Sequence, residues 1–536
     1  SWRPLVVGCV LVGGAVAAGV AVRAEANATG PVARLAQERA VVELDGRVGS
    51  DPVTREGRYG DFVVVRLTVL VVTGRGHAFH TRSPVLVIAD PSWSSLRLGS
   101  RVAVRGRLEP PDDVTLAAVL TGFPDPVTEV PPPALLGGAE TVRAGIREAV
   151  RGTPEARALV PALVVGDDRQ MSRAVVDDFR TTGLTHLAAV SGTNLTLVVG
   201  FLVVVARGLG ARGRLLTAVG IVGVAAFVVL ARPEPSVVRA AAMGSVALLS
   251  MGHRGRARGA RALGVATVVL LLVDPWLVVS AGFALSVLAT AGILFLAPLL
   301  RDRMRRWLPR WAAEAVAVPL AAQLACTPVV AALSGEVSLV AVVANMAVAP
   351  AVAPATVLGL LGGLVTLVAT GPGALLGLAA GATGGWIVLV ASHLARLPVA
   401  SVEWAAGPGP ILLLTLGCVA TACWSGWMLA RRRRTAIGLA VLALVVLRPL
   451  PVPGWPPAGW VLVACDVGQG DGLVLNAGDG AAVVVDAGPD PALIQHCLER
   501  LQVDEVPVVV LTHFHADHVD GLAGVLGGHE VATVLT

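Results

Sequence analysis

Residues 183–207 form an apolar stretch that is long enough to cross a lipid bilayer, because a hydrocarbon core of roughly 30 Å needs about 20 helical residues. Its first half nevertheless carries four polar side chains, those of His186, Ser191, Thr193 and Asn194. Polar groups at membrane depth must find partners, since lipid offers none. Two interpretations therefore stay open: these side chains join neighbouring helices by hydrogen bonds, or they line a water-filled path.

The composition extends the membrane interpretation to most of the chain. Of 536 residues, 55% are hydrophobic and 15% are charged, and the mean hydropathy is +0.74, whereas soluble domains carry about 25% charged residues. We therefore predict a polytopic α-helical membrane protein of about 11 spans with soluble domains attached. The candidate helices lie near residues 4–22, 187–206, 215–231, 235–252, 262–273, 276–300, 312–332, 338–370, 373–395, 410–430 and 435–447.

Arginine-rich loops between the candidate helices predict which side of the membrane each loop faces. Residues 207–214, 253–261 and 301–310 are rich in arginine and alternate with turns that are poor in it, and positively charged loops stay in the cytoplasm. If the proline-containing stretch 338–370 is one broken crossing, the arginines of 431–434 are cytoplasmic too. We expect a multi-pass protein of the cytoplasmic (inner) membrane whose two soluble domains are both extracytoplasmic.

Further polar side chains lie inside the candidate spans and need a partner or water. Arg239 is about one turn from the outer end of its helix, so it either snorkels to the interface or lines a path, with Glu234 or Glu314 as candidate ionic partners. A charge inside a span is costly unless it is paired or hydrated. The residues assigned to a transport path on these grounds are His186, Ser191, Asn194, Arg239, Gln323 and Asn345.

Residues 38–131 differ from the membrane block, because five short β-type runs recur there between turn residues. Strands at this spacing predict a small barrel or sandwich, and the run GSRVAVRGRL from Gly99 resembles the strand that closes an oligonucleotide-binding (OB) barrel. Such a domain would bind single strands through aromatic platforms and a basic groove; alternatively, its aromatic residues form the core. The candidate DNA-binding residues are Tyr59, Arg66, Trp93, Arg101 and Arg105, with Phe62 and Phe79 as further aromatic candidates.

The segment that follows, residues 136–182, predicts amphipathic helices with Arg143 and Arg147 on solvated or interfacial polar faces. The predicted organisation is a transmembrane helix (1–24), an extracytoplasmic OB-like β domain (38–131), this helical connector (136–182), a polytopic membrane domain (183–448) and a C-terminal α/β domain (459–536).

The last domain contains a metal-binding pattern. A strand-like run, VPVVVLT, leads directly into His513-Phe-His515-Ala-Asp517-His518. The two histidines that are two residues apart can hold one metal ion, and Asp517 with His518 can hold a second, because imidazole and carboxylate suit Zn²⁺ or Mn²⁺. Such a pair of ions would activate water and stabilise the leaving oxygen of a phosphoryl substrate.

Three more carboxylates follow β-type runs of this domain and are expected to reach the same site, although turn formation is the alternative for Asp466 and Asp471. A disulfide between Cys465 and Cys497 stays open, because no spacing pattern requires it. The assigned metal ligands are His513, His515, Asp517, His518 and Asp486, and the assigned catalytic residues are Asp517, Asp466 and Asp471.

Several motifs occur in a characteristic order from about Leu163 to Gly521. They are HLAAVSGTN, PSVVRAAAM, DPWLVVSAGFALSVLATAGILF, GEVSLVAVVANMAVAP, DVGQGDG, DAG and THFHADHVDG. With these motifs the chain resembles the ComEC/Rec2 family of DNA-internalisation proteins of natural competence. One departure is Asn194, where the family often has histidine, which puts a role for histidine at that position in doubt.

The resemblance implies that residues 183–448 form a polytopic competence/channel domain, a pore that passes single-stranded DNA across the membrane during transformation. It implies that residues 459–536 form an incomplete metallo-β-lactamase-like domain, a metal-dependent nuclease that degrades the other strand. It also implies two metal ions, with later ligands beyond Thr536, and we expect the sequence to be truncated at both ends. The implied partners are single- and double-stranded DNA, membrane lipid and an outer DNA receptor. Because no G-x-x-x-x-G-K-[ST] loop occurs, we also expect a cytoplasmic ATPase or helicase; a homodimer stays open.

Two other functions remain as alternatives. The first is a membrane-anchored metallo-hydrolase whose helices are only a scaffold, in which case changes at Arg239 would leave DNA uptake intact. The second is a transporter of a small anion with a vestigial metal domain, which the intact H-x-H-x-D-H pattern argues against.

Overall fold

The computed structural model describes the chain in two compact units, Ser1–Leu447 and Arg448–Thr536. The described residues are 3–57, 60–121, 127–188, 192–232, 237–238, 241–242, 256–447, 456, 458–468 and 470–536. Each unit has its own hydrophobic core.

The first unit opens with a long helix and a β domain. Helix α1 (Arg3–Thr29) is followed by the short helix α2 (Pro31–Gln37), whose buried side chains pack into the core of the β domain. The strands of this domain are β1 (Val41–Val48), β2 (Val53–Gly57), β3 (Gly60–Gly74), β4 (His77–Ala89), β5 (Arg101–Glu109), β6 (Ala118–Thr121) and β7 (Val127–Val130).

The pairing of these strands closes on itself. Strand β1 pairs with β3, β3 with β4, β4 with β6, β6 with β5, and β5 returns to β1. The pairing of β4 with β6 is parallel, and the other pairings in this ring are antiparallel. Side chains alternate along β1, so that Val42, Leu44 and Val48 point into the core, as a strand with one buried face requires.

The remainder of the first unit is helical. Helices α3 (Ala134–Ala149), α4 (Pro154–Val165), α5 (Arg173–Thr181) and α6 (Thr185–Ala188) precede α7 (Gly192–Gly208), α8 (Arg214–Ala231) and α9 (Arg256–Val273). Then come α10 (Ala281–Phe295), α11 (Ala297–Met304), α12 (Arg310–Ser334), β8 (Glu336–Ser338), α13 (Ala341–Thr366), α14 (Thr370–Ala395), β9 (Ser401–Glu403), α15 (Pro408–Met428) and α16 (Arg432–Leu447). Strands β8 and β9 pair as a two-stranded ribbon.

Seven described segments are long and apolar enough to cross a membrane, and two shorter apolar helices accompany them. The prediction of about 11 spans is therefore not confirmed; most of the candidate span 235–252 lies outside the described residues. The stretch 338–370 contains one continuous helix, α13, despite two internal prolines. The seven are Val6–Thr29, Arg214–Ala231, Ala281–Met304, Arg310–Ser334, Ala341–Thr366, Thr370–Ala395 and Pro408–Met428, and the shorter ones are Asn194–Gly208 and Gly259–Val273.

Helices α3 and α4 pack into the membrane block instead of lying free at an interface. Glycines of α13 and α14 permit this close approach: a Cβ at Gly363 would lie 2.3 Å from Ile146, and one at Gly381 would lie 1.6 Å from the carbonyl oxygen of Arg151. Most side chains of α4 are buried. The expectation of a solvated Arg143 was wrong, since its side chain is 1% exposed.

The second unit is a mixed α/β layer. Its sheet has the order β10 (Leu462–Ala464), β11 (Leu473–Gly478), β12 (Ala481–Val485), β13 (Glu505–Val510) and β14 (Glu530–Leu535). The first two pairings are antiparallel and the last two parallel. Helix α17 (Pro491–Arg500) connects β12 to β13, while α18 (Ala516–Val519) and α19 (Leu522–Leu526) connect β13 to β14. Parallel strands need such crossovers.

A disulfide joins Cys465, at the end of β10, to Cys497 on α17. The sequence had left this pairing open. The bond ties α17 to the edge strand β10, which comes before the metal-binding loops in the chain.

Candidate metal centre and membrane-embedded polar residues

The H-x-H-x-D-H segment follows β13 and turns into α18. Asp486 follows β12, which is the parallel neighbour of β13, so both segments leave the sheet at the carboxyl ends of adjacent strands. This is where ligands bind in open α/β sheets. The valine-rich strands β12 and β13 contribute Val484 and Val509 to the buried core of this unit. The polar residues of the site begin where these apolar runs end.

The imidazole rings of the segment lie together. The ring centroid of His513 is 4.5 Å from that of His515 and 4.0 Å from that of His518. Donor atoms of Asp471, Asp486 and His518 lie within 4.8 Å of one another. Asp517 belongs to the same loop, with one carboxylate oxygen 3.9 Å from Nε2 of His518. The structure therefore brings together all but one of the predicted ligand and catalytic residues.

Asp486 is a buried partner of His518. One of its oxygens accepts a hydrogen bond from the Thr512 backbone N–H at 2.8 Å, and the other accepts from the Thr512 hydroxyl at 2.7 Å and lies 2.9 Å from Nδ1 of His518. Burial raises the pKa of Asp486, but these hydrogen bonds outweigh burial and hold its pKa below the ordinary value. A carboxylate on Nδ1 orients the ring and presents Nε2 to a metal. The geometry thus favours an orienting role over the ligand role predicted for Asp486.

The DVGQGDG segment packs directly on the histidine loop. Gly470 has φ +103°, and a Cβ there would lie 1.7 Å from the carbonyl oxygen of Asp517; only glycine fits such a position. This contact brings Asp471 to the site. Asp466 stays outside the cluster of described donors: it is exposed, and its carboxylate accepts a long hydrogen bond from the Gly468 backbone at 3.4 Å, as in a turn.

The donor set fits a divalent metal ion. Imidazole nitrogens and carboxylate oxygens converge on one edge of the sheet, and these ligand types suit Zn²⁺ and Mn²⁺. A buried carboxylate behind His518 supplies the outer support that metal-ligating histidines usually have.

The polar residues of the membrane block are mostly satisfied within the helices. The side-chain amide of Asn194 is 2% exposed and donates to the carbonyl oxygen of Leu163 at 2.7 Å, so this residue joins α7 to α4. Asn345 donates to Ala341 in its own helix at 2.9 Å. Gln323 is partly buried and His186 is exposed. The interhelical bond favours the first of the two interpretations for Asn194.

Other predicted path residues lie outside the described part of the chain. These are Ser191, Arg239 and its candidate partner Glu234.

Family models separate the chain into the same two parts. The competence protein model matches residues 163–432, half of the chain, and the metallo-beta-lactamase superfamily model matches residues 465–535. The chain belongs to the competence protein family. The second match implies divalent metal binding by the domain that carries His513 to His518.

One curated relative is ComE operon protein 3 of Bacillus subtilis (strain 168). It is 29% identical over 189 residues, which is 35% of this chain and 24% of that protein. The match therefore spans about a quarter of the relative's length. No solved structure matches the chain.

In this member of the competence family, the β domain does not present all of the predicted DNA contacts. Trp93 is 2% exposed and lies in the core, so its prediction as a stacking platform was wrong. Arg101 donates to Asp45 at 2.8 Å. Arg66 and Arg105 are exposed on the strands, and Phe79 packs partly against the core. Tyr59 lies outside the described residues, and Phe62 is partly buried.

A buried ion network, which the sequence did not predict, joins the β domain to the helices. Asp51 accepts hydrogen bonds from Arg143 at 3.2 Å and from Arg232 at 3.0 Å. Asp167 accepts from Arg169 at 2.7 Å. The only sequence signal is a short charged run directly after the apolar helix α4. The network comprises Asp51, Glu140, Arg143, Arg147, Asp167, Arg169 and Arg232.

Proposed function

We propose that this chain forms the membrane channel for uptake of single-stranded DNA in natural transformation, and that its second unit is a metal-dependent nuclease that degrades the strand left outside. One observation carries the proposal: a competence-family membrane block and a convergent histidine–carboxylate site occur in a single chain. A transport block alone would need no hydrolytic site, and a hydrolase alone would need no block of this size.

The β domain is proposed to face the outside of the cell. Arg23, at the end of α1, pairs with Asp274 at 2.8 Å, and the β domain follows α1. Asp274 precedes α10, and the segment Ala281–Met304 runs from that end to the arginines that begin at Arg301. Those arginines therefore lie at the opposite end of the helices, and arginine-rich loops stay in the cytoplasm.

The same reasoning extends to the second unit. Helix α16 begins within the arginines of 431–434, and its last turn lies beside the β8–β9 ribbon. There the Val399 backbone N–H donates to the carbonyl oxygen of Val446 at 3.2 Å. Helix α16 thus ends at the opposite end of the helical block from the arginines of 431–434. The disulfide supports the same orientation, since disulfides persist in oxidising, extracytoplasmic compartments.

In the nuclease, His513 and His515 would hold one ion, and Asp517 with His518 a second. The metal supplies an activated water and charge stabilisation for the leaving oxygen. The chain's own residues orient this site: Asp486 fixes His518, Thr512 fixes Asp486, and Gly470 allows Asp471 to approach the loop. The choice of Zn²⁺ or Mn²⁺ and a count of two ions belong to the proposal.

The closed strand order supports an OB-like barrel for the β domain. Five strands with one parallel pairing in the ring have the connectivity of such a fold. We propose that Arg66 and Arg105, which are exposed, contact the phosphates of the incoming DNA. An outer receptor would deliver duplex DNA, a cytoplasmic ATPase or helicase would draw the strand inward, and a homodimer is part of the same proposal.

An anchored hydrolase with scaffold helices remains the second candidate. The hydrogen bonds of Asn194 and Asn345 favour it, because these amides donate to backbone carbonyl oxygens of the helices, as side chains with a structural role do.

Uptake of labelled duplex DNA distinguishes the two candidates. Cells would carry wild type, Arg239→Ala, His515→Ala or the control His496→Ala, whose side chain is exposed on α17 and does not belong to the H-x-H-x-D-H segment, with membrane levels checked for each. We expect Arg239→Ala to block entry, His515→Ala to abolish only degradation of the excluded strand, and His496→Ala to change neither. If Arg239→Ala and His515→Ala both leave DNA entry and degradation unchanged, the proposal fails; if only degradation depends on the chain, the anchored hydrolase is correct.

A further inference from the structure

Two arginine-rich segments that are far apart in the sequence lie at one end of the helical block. The first, residues 301–310, runs from the end of α11 to the first residue of α12, and the second, residues 431–434, leads from the end of α15 into the first turn of α16. Together they contain nine arginines. The nearby acids are Asp302 and Glu314.

A tryptophan joins the two segments. The indole N–H of Trp307 donates to the carbonyl oxygen of Leu429 at 2.8 Å. Leu429 and Trp307 both pack against a buried cluster that includes Leu300 and Met304. The end of α15 is therefore fixed beside the turn between α11 and α12, and the arginines form one surface, called here the arginine face and defined as Arg301, Arg303, Arg305, Arg306, Arg310 and Arg431 to Arg434.

Several of these arginines are not neutralised by the protein. Arg310 pairs with Glu314 at 2.9 Å, and Arg301 pairs with Asp302 at 2.8 Å. No hydrogen bond or ion pair joins the side chains of Arg303, Arg305 and Arg306 to any described residue, and all three are exposed. A depression of about 380 Å³ lies between Arg301, Asp302, Arg305 and Arg306.

Exposed tryptophans lie close in the chain to the arginines of this face. Trp311 is 74% exposed and Trp424 is 62% exposed, and the guanidinium of Arg434 lies 3.7 Å from the ring centroid of Trp427. Tryptophan is enriched where helices pass from hydrocarbon to headgroups. Deeper along α10 and α15 the surface is apolar, with Phe295 and Val419 exposed.

We infer that the arginine face is a binding site for the phosphate headgroups of anionic phospholipids. Arginine forks match phosphate oxygens, basic clusters at the ends of spans bind anionic headgroups, and the apolar surface beside the depression would accommodate acyl chains. The phosphates of a nucleic acid strand would match the charges equally well. Such a strand would not account for the exposed tryptophans and the apolar surface beside the arginines. A bound anionic phospholipid accounts for the unpaired arginines, the exposed tryptophans and the apolar surface. This inference does not rest on the proposed function.

The test counts bound lipid on the whole protein in neutral detergent by native mass spectrometry, with cardiolipin, phosphatidylglycerol or phosphatidylcholine added at equal concentration. The variant Arg303→Gln/Arg305→Gln/Arg306→Gln removes three unpaired charges. Arg207→Gln/Arg212→Gln/Arg214→Gln is the matched control, since it removes three exposed arginines from a single loop. A lysine triple at 303, 305 and 306 keeps the charge.

Neutral detergent provides no anionic surface, so only an arginine that contacts a bound headgroup contributes to affinity, by about five-fold. We therefore expect wild type to bind more anionic lipid than phosphatidylcholine. In Arg303→Gln/Arg305→Gln/Arg306→Gln the ratio of bound anionic lipid to bound phosphatidylcholine should fall at least about ten-fold. The variant Arg303→Lys/Arg305→Lys/Arg306→Lys should keep most of the wild-type ratio. A loss of the same size in the control overturns the inference, and so does an unchanged preference in the test variant. If the test variant instead loses only its affinity for a single-stranded oligonucleotide, the face is a nucleic-acid surface and the inference is wrong.

Discussion

Replacing Asp167 by asparagine tests the buried ion network most directly. The carboxylate is 1% exposed and accepts hydrogen bonds from Arg169 at 2.7 and 2.8 Å and from Arg147. It also lies 3.7 Å from the guanidinium of Arg143, which is 1% exposed. Asparagine keeps the shape of the side chain and removes its charge, so the change isolates electrostatics from packing.

The expected cost follows from the composition of the network. Four arginines face three acids in the wild type, and they face two after the substitution. Removing one partner of a buried ion pair costs about 3–5 kcal/mol, because the remaining charge is buried without compensation. Since Arg147 and Arg169 are about a quarter exposed, water offsets part of this cost and we expect the lower end, about 3 kcal/mol.

Hydrogen exchange on the whole protein in detergent measures this effect locally. We expect amides of α3 and of the end of α4 to lose about 100-fold protection, with little change in the second unit. The control is Asp177→Asn on α5, which is exposed and makes no hydrogen bond to a described residue. If Asp167→Asn behaves like this control, the network does not stabilise the junction and the reasoning is refuted.

The dependence on pH has a definite sign. Burial raises the pKa of Asp167, but the hydrogen bonds from Arg169 and the charges of Arg143, Arg169 and Arg147 outweigh it, so that the pKa lies well below the ordinary value of 3.8. A carboxyl whose pKa is lowered by folding contributes stability above its unfolded pKa and loses it as the pH falls. The difference between wild type and Asp167→Asn should therefore be constant from pH 7 to 5 and shrink below about pH 4.

Two further predictions concern the second unit. Asp486→Asn should raise the dissociation constant for zinc about 10–100-fold, measured by competition with a chromophoric chelator. Asp466→Asn, at the exposed turn, should leave this constant unchanged. Equal zinc affinities in the two variants would contradict the orienting role of Asp486. Cys497→Ser should lower the free energy of unfolding of the second unit by about 2–4 kcal/mol, measured as a lower midpoint of thermal unfolding that no longer changes when a reductant is added. Cys326→Ser is the control. If a reductant does not lower the midpoint of the wild type, the disulfide does not stabilise this unit.

The sequence predicted the features that depend on periodicity and on local motifs. Long apolar runs predicted helices such as α13 and α14, and the apolar strand before His513 predicted where the metal-binding loop would begin. The recurring β-type runs between turn residues predicted the strands of the β domain, such as β1. These features depend on neighbours in the chain, so a linear pattern carries them.

The features that the sequence missed depend on which segments meet. Arg143 lies on an amphipathic helix and was expected to face solvent, but its side chain is buried against the ends of α4 and α8, where it donates to the carbonyl oxygens of Val165 and Leu230. Trp93 was expected on a binding face because aromatic residues serve as platforms, although the same residues fill cores. Asp486 was assigned to the metal because it follows a strand, and its hydrogen bonds to Thr512 and His518, which favour an orienting role, could not be seen in the sequence.

The contact of Gly470 with the backbone of Asp517 limits how this domain can change through evolution or design. Because no side chain fits between them, the DVGQGDG segment and the histidine loop form one inseparable part although they are far apart in the sequence. A replacement histidine loop whose backbone followed a different path at the position of Asp517 would shift the imidazoles relative to Asp471. A chimera that keeps its geometry must transfer both segments together.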